Sequence, residues 1–202
     1  MKTKKGMQFV EPIRDIKKIS QIKNMLKGAW EIRNLLLFEL WINSALRISD
    51  LLSIKVVDLF DNEWKTRSYF DLKEAKTNKI HRVTITPKVE KTLLEYSQKY
   101  NNIIKNPNNY IFFHSKKNNK WSISIWRKMA RIMINEWCRN VWLSGNYWWH
   151  TLRKTWGYQW RMKGLPIELI QNKLNHSNMA VTKRYLWITN DEIQEACMKL
   201  DL

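Results

Sequence analysis

The chain has 202 residues, 36 Lys and Arg against 18 Asp and Glu, and a formal net charge of +18. That length supports a single domain with a real core, and that charge points to a polyanionic partner, nucleic acid ahead of a membrane surface. Charges interrupt every hydrophobic stretch before the roughly 20 residues of a spanning helix, no apolar run follows the basic start, and Cys138 and Cys197 alone support neither a disulfide framework nor a metal site. The expected setting is a reducing compartment, by default the cytoplasm.

Residues 1–14 read as a loosely held basic segment. Asp15 is placed to cap a helix with Ile16, Ile19, Ile22 and Leu26 on one stripe and Gly28 at its close. A second helix, from about Trp30 to Asn43, is apolar nearly all round and is expected to be the central buried one. In Ser44-Ala45-Leu46-Arg47-Ile48-Ser49-Asp50-Leu51-Leu52, Arg47 falls in a turn between two apolar helical runs. A guanidinium there is costly unless something negative receives it.

Val56, Val57 and Leu59 predict a strand, and Tyr69–Lys73 and Ile80–Ile85 predict two more, joined by Lys76-Thr77-Asn78-Lys79. The expectation is a small three-stranded antiparallel sheet with a basic hairpin tip. Thr86-Pro87 opens a helix carrying Val89, Leu93, Tyr96 and Tyr100. Tyr110–Phe113 reads as buried, and the loop holding Lys116, Lys117 and Lys120 as solvated and able to track a phosphate backbone. Ile125, Met129, Ile132 and Trp137 mark a helix from about 124 to 140. Three short helices follow, at 151–163 before Gly164, at 166–174, and at 177–186. Thr189-Asn190-Asp191-Glu192 has the form of a capping box, and Ile193, Cys197 and Leu200 lie on one stripe behind it. No repeat or internal boundary is evident, so the reading is one α+β domain over 15–189, mostly helical, with a C-terminal helix over 190–202.

Chemistry concentrates between His150 and Tyr185. His150 and Arg153, three residues apart, share one helical face and can address one small anion. His176 follows, and nine residues later Tyr185 comes directly after Lys183-Arg184. The combination suggests phosphate chemistry with a tyrosine nucleophile.

Ala45–Leu52, the hairpin Lys76, His150-Thr151-Leu152-Arg153, Leu174-Asn175-His176-Ser177 and Tyr185 together resemble, in order and spacing, the catalytic domain of the tyrosine recombinases, the phage-integrase family. The resemblance spans roughly residues 12–200 without the N-terminal core-binding domain of most members, as in the short, catalytic-domain-only members or in a fragment of a longer one. It implies a site-specific recombinase that cuts and rejoins double-stranded DNA through a 3′-phosphotyrosine, with no metal and no cofactor. Arg47 and Arg153 would clamp the phosphate, for which a planar guanidinium suits better than an ammonium. Lys76, with Lys73 or Lys79 as neighbours able to take the role, would protonate the leaving 5′ oxygen. His150 would exchange a proton near the nucleophile, His176 would hydrogen-bond the phosphate, and Tyr185 would attack. Lys79, Arg82, Lys116, Lys117, Lys120, Lys154, Lys183 and Arg184 are the candidate DNA contacts, while His81 and His114 read as ordinary structural histidines. The family pattern also implies trans docking of the 190–202 helix in a homotetramer on paired sites, while the small interface left without a core-binding domain fits a monomer free in solution. Two other functions fit the same residues: a DNA-binding protein with a disabled catalytic set, and a type IB topoisomerase-like enzyme.

Tryptophan departs from the family pattern. The chain has 12. Trp148-Trp149 stand where members usually have small residues, threonine or proline, and Trp41, Trp142 and Trp187 where they often carry glycine or another small or polar residue. Two indoles beside His150 would displace it or block DNA unless the fold makes room for them.

Overall fold

The computed structural model describes residues 10–114 and 121–186, with Gln194, Cys197 and Met198 of the tail. Helix α1 (Ile16–Gly28) starts where Asp15 accepts the Lys17 N–H at 2.8 Å, satisfying one otherwise orphaned amide. It buries Ile19, Ile22 and Leu26, but Ile16 is 57% exposed. Three-residue steps fall about 60° short of a turn, so Ile16 has drifted nearly 90° from the centre of the buried stripe.

Helix α2 (Ile32–Ser44) is the buried centre, enclosed on nearly every side and packed against α1, α5 (Pro87–Lys99) and α8 (Thr151–Met162). Its one carboxylate, Glu39, is held inside by the Thr92 hydroxyl at 2.6 Å and Lys23 at 3.2 Å. Trp41 is fully buried and donates its indole N–H to Leu46 O at 3.1 Å, so here the large side chain is a core element. Thr86 caps α5 through the Val89 N–H, and Val89, Leu93 and Tyr96 face inward. Each such buried side chain contributes roughly 1.5–3 kcal/mol.

The segment 10–14 is fixed rather than loose, which corrects the expectation for that part of the N-terminal stretch. Ile13 is fully buried, and its N–H donates to Thr155 Oγ1 at 2.8 Å. Gln159 reaches Ile13 O and Arg14 O, and Glu11 N–H reaches Asn146 O. The backbone polar groups find partners on and just before α8, which the sequence order could not foreshadow.

The sheet has two described strands, not three. Strands β1 (Tyr69–Lys73) and β2 (Ile80–Thr84) pair antiparallel with Phe70 opposite Val83 and Leu72 opposite His81 on the inner face. Val56–Leu59 instead forms one helical turn, α4. Asp58 accepts the Lys55 N–H at 2.8 Å, and Val56 and Leu59, three apart, are buried while Val57 is exposed. A strand would have buried alternate residues. Ile111, Phe112 and Phe113 are buried as expected.

Helix α6 (Asn101–Ile104) is a short turn, and α7 (Arg127–Asn140) is the next helix. Ala130, Met133, Ile134, Trp137 and Cys138 form its buried face; Trp137 and, ahead of the helix, Ile125 are buried as expected, while Met129 and Ile132 are exposed and the next residues, Ala130 and Met133, take their places. Helices α9 (Ile167–Lys173) and α10 (Met179–Tyr185) close the fold behind α8. Ala45, Trp156, Ile170, Leu174 and Leu186 make a small second core there, with Tyr185 against it. Gly157 permits that closure, since a Cβ on it would stand 2.7 Å from Leu186 Cδ2. The expected 190–202 helix and its docking lie outside the described residues, apart from Gln194, Cys197 and Met198, which are helical and exposed. No described helix is long and apolar enough to cross a membrane.

Candidate active site

The site begins at Ala45, whose left-handed backbone (φ 59) ends α2 and turns the chain into α3 (Ile48–Leu52). Arg47 occupies the N-cap of α3 and reaches the carboxylate of Glu74, with Nη1 to Oε2 at 2.5 Å. Glu74 follows directly on β1 and is fully buried. Besides Arg47, it meets the Thr77 hydroxyl at 2.5 Å, His81 Nδ1 at 3.3 Å and Arg153 Nη1 at 4.0 Å. Burial works against its ionisation, but hydrogen bonds from His81, Thr77 and Arg47 prevail and hold it well below the usual carboxylate range. His81 faces an acceptor at each ring nitrogen, Glu74 on one side and Ser44 O at 2.9 Å on the other.

Arg153, on the first turn of α8, is 2% exposed and held by two carbonyls, Ala45 O and Leu174 O, the latter at 2.5 Å. Its guanidinium thus joins the end of α2 to the end of α9. Burial lowers its pKa.

A cleft of about 1000 Å³ lies in front of these groups, bordered by Arg47, Lys76 and His150 and by Arg127, Lys128 and Arg131 of α7. The hairpin turn carrying Lys76 is fastened to α3, because Asp50 accepts the Ala75 N–H at 3.0 Å. His150 is the N-cap of α8 and is exposed to the cleft, yet the protein crowded around its ring, with the charges of Arg153 and Lys154, lowers it to about 4. His176 is likewise lowered to about 4, by burial and then by Arg153 and Arg47, and its Nδ1 lies 3.1 Å from Thr182 Oγ1. Both imidazoles are therefore neutral at pH 7.

Tyr185, at the end of α10, stands between the two histidines, its ring 5.0 Å from His176 and 6.4 Å from His150. The phenol oxygen is sealed from solvent without a well-formed hydrogen bond, and burial pushes it up to about 12 against the pull of Arg153 and Arg47. The structure thus brings all six expected site residues to one place, three on the cleft wall and three just behind it.

The family model for the phage integrase family matches residues 14–192. The chain belongs to the phage integrase family. Among this family member's curated relatives, the probable integrase/recombinase YoeC of Bacillus subtilis is 33% identical over 194 residues, covering 94% of this chain and 96% of the relative. Tyrosine recombinase XerA of Pyrococcus horikoshii is 26% identical over 183 residues, and the match spans 60% of its length. Among solved structures, XerH recombinase bound to palindromic difH superposes over the whole of this chain and 56% of its own, with a TM-score of 0.75 at 16% identity. XerA recombinase gives 0.71 over 94% of this chain and 65% of its own. The fold is that of the tyrosine recombinase catalytic domain.

The candidate DNA contacts of this integrase-family chain divide by position. Lys79 and Lys183 are exposed, as is the site residue Lys76. Arg82 is engaged with Asp71 through two bonds of 2.8 and 2.7 Å and stacks over Tyr69. Lys154 is not on the surface: it is 8% exposed, donates to Val10 O and sits 5.3 Å from the Tyr185 ring centre, behind the cleft. Lys116, Lys117 and Lys120, and the side chain of Arg184, lie outside the described residues. Sequence reasoning missed Arg127, Lys128 and Arg131, whose i, i+1, i+4 spacing was a readable signal of one basic face. It also missed Glu74, whose strand-end position carries no local mark. The indoles of Trp148 and Trp149 meet edge to face at 5.1 Å, with Arg131 over Trp148, and Trp149 borders the cleft beside His150.

Proposed function

We propose that this domain cuts and rejoins double-stranded DNA as a site-specific recombinase, with Tyr185 as nucleophile. The observation that carries the reading is the enclosed Tyr185 phenol, flanked by two neutral histidines and faced by Arg153, next to a cleft bordered by cations. In the step proposed, a scissile phosphate enters the cleft and its non-bridging oxygens take up the guanidinium groups of Arg47 and Arg153. Such fixed positive charge favours the crowded, charge-rich transition state over the bound ground state. The Tyr185 oxygen bonds to phosphorus as the bond to the 5′ oxygen breaks. The phenolic proton passes to a neutral imidazole, and the Lys76 ammonium gives a proton to the leaving oxygen. The phosphotyrosine conserves the bond energy, and attack by a 5′ hydroxyl reverses each transfer.

The sealed phenol corresponds to a resting state in which α10 must shift before attack. Glu74 holds the Arg47 guanidinium at the edge of the cleft and so supplies the negative partner that the position of Arg47 requires. Glu74 is thus a positioning residue. On this reading the protein works in the cytoplasm and assembles as a tetramer on paired sites through its 190–202 segment. A suicide substrate, nicked so that the cleaved end diffuses away, tests the reading. A covalent protein–DNA adduct on site-bearing duplex supports it, relaxation of single-site plasmids without pairing would favour a topoisomerase, and tight binding with no adduct would overturn it.

A further inference from the structure

Three of the chain's tryptophans stand where the backbone asks for glycine. Trp30, Trp64 and Trp142 have φ of 56, 61 and 59, in the left-handed region that a Cβ disfavours. Each occupies a motif with a defined place for glycine. At the end of α1, the Glu31 N–H bonds to Leu26 O and the Trp30 N–H to Lys27 O, both at 3.0 Å. That is a complete Schellman closure, with Trp30 at its left-handed position. At the end of α7 the same pair recurs, Leu143 N–H to Cys138 O and Trp142 N–H to Arg139 O, both at 2.9 Å. Between α4 and β1, Asp61 and Lys65 face each other at 2.9 Å across Asn62-Glu63-Trp64, a three-residue hairpin loop whose last position is left-handed and ordinarily glycine.

The side chains do not explain the strain. Trp30 is 74% exposed, Trp64 44% and Trp142 89%. Nor do they share one stacking surface: Lys18 reaches Val141 O, next to Trp142, whereas Trp30 lies twelve residues further along α1, about 18 Å away. The other left-handed residues outside glycine include Asn78 and Asn175, of the type that tolerates this conformation. Composition agrees. The chain has 5 glycines where ordinary usage of about 7% gives about 14, and it has 12 tryptophans, so glycine is scarce where tryptophan is abundant.

We propose that positions 30, 64 and 142 are glycine in the protein as its own organism makes it. The chemistry that produces this pattern is a codon, UGA, read as glycine by that organism's translation apparatus and as tryptophan under another code. The criterion is backbone conformation, so it speaks for these three positions and not for buried, helical Trp41, Trp137 or Trp156.

Tandem mass spectrometry of the protein isolated from its source tests this directly. Peptides carrying glycine at 30, 64 and 142, from UGA codons in the gene, are expected; tryptophan at these positions, or UGG codons, overturns the proposal. A second measurement isolates the physical cause. Replacing all three tryptophans by glycine in the recombinant chain should raise Tm by roughly 5–10 °C. Replacement by alanine should not, because alanine keeps the Cβ. Equal gains from both would place the cost in the exposed indole instead of the backbone, and would overturn the argument.

Discussion

Replacing Glu74 by Gln keeps the size of the side chain and one acceptor oxygen while removing the charge that Arg47, His81 and Arg153 surround. Breaking a buried ion pair by removing one partner costs about 3–5 kcal/mol. The low end applies here, because the amide oxygen still accepts from Thr77 and the Arg47 side chain keeps 17% of its surface in water. For a domain of this size about 3 kcal/mol corresponds to a fall of roughly 6–12 °C in Tm. The pH dependence has a definite sign. A carboxyl held below its usual range stabilises at neutral pH, and that contribution fades as pH falls through the low folded-state value. The Tm gap between wild type and Glu74→Gln should therefore be full at pH 7 and shrink below about pH 5. In single-turnover cleavage the variant should be at least ~10-fold slower, since the Arg47 fork loses its alignment, while duplex affinity holds because net charge rises. A Glu74→Gln protein melting within about 1 °C of wild type and cleaving at the same rate would refute the positioning role.

Arg153→Lys cannot span Ala45 O and Leu174 O with one ammonium, so adduct formation should fall about 100-fold or more with charge retained, and Arg47→Lys should behave alike; near-normal rates in either would remove that residue from the site. His150 and His176, ordinarily near 6.5, are lowered to about 4, so between those values the unfolded chain binds protons the folded site refuses. Stability should therefore decrease as pH is lowered through that window, and a His150→Gln, His176→Gln double variant should flatten the slope in thermal melts. Reversing Arg127, Lys128 and Arg131 to Glu should weaken duplex binding and lower its salt slope by about one unit per lost phosphate contact; an unchanged slope would take α7 out of the DNA path. Deleting residues 190–202 should spare single-site binding and impair two-site assembly, read by native gel or light scattering; equal assembly would dismiss trans docking.

Motifs with local signatures were legible in the sequence. Asp15, Thr86-Pro87 and Gly164 mark helix ends through caps and turns, and those ends stand where expected. The hairpin was legible from its alternation, and the six proposed site residues were singled out by the resemblance of their order and spacing, which says nothing of the geometry that gathers them. What failed depends on the third dimension. Val56–Leu59 carries β-branched residues, yet Asp58 closes a helical turn on Lys55. Lys154 looks like a surface cation beside Arg153, yet α8 turns it inward to Val10 O. Glu74 is invisible as a site residue, because its partners come from three separate stretches of chain and only the folded hairpin brings them to one carboxylate.

The central claim is that Tyr185 carries the covalent bond to DNA, and mapping the adduct tests it most directly. Wild type and Tyr185→Phe are incubated with a suicide duplex, digested with protease and nuclease, and the nucleotide-bearing peptide is sequenced. The account predicts a 3′-phosphonucleotide on Tyr185 in wild type, with the phenylalanine variant binding the same duplex and forming none. An adduct on another residue, or a phenylalanine variant that cleaves, would contradict it.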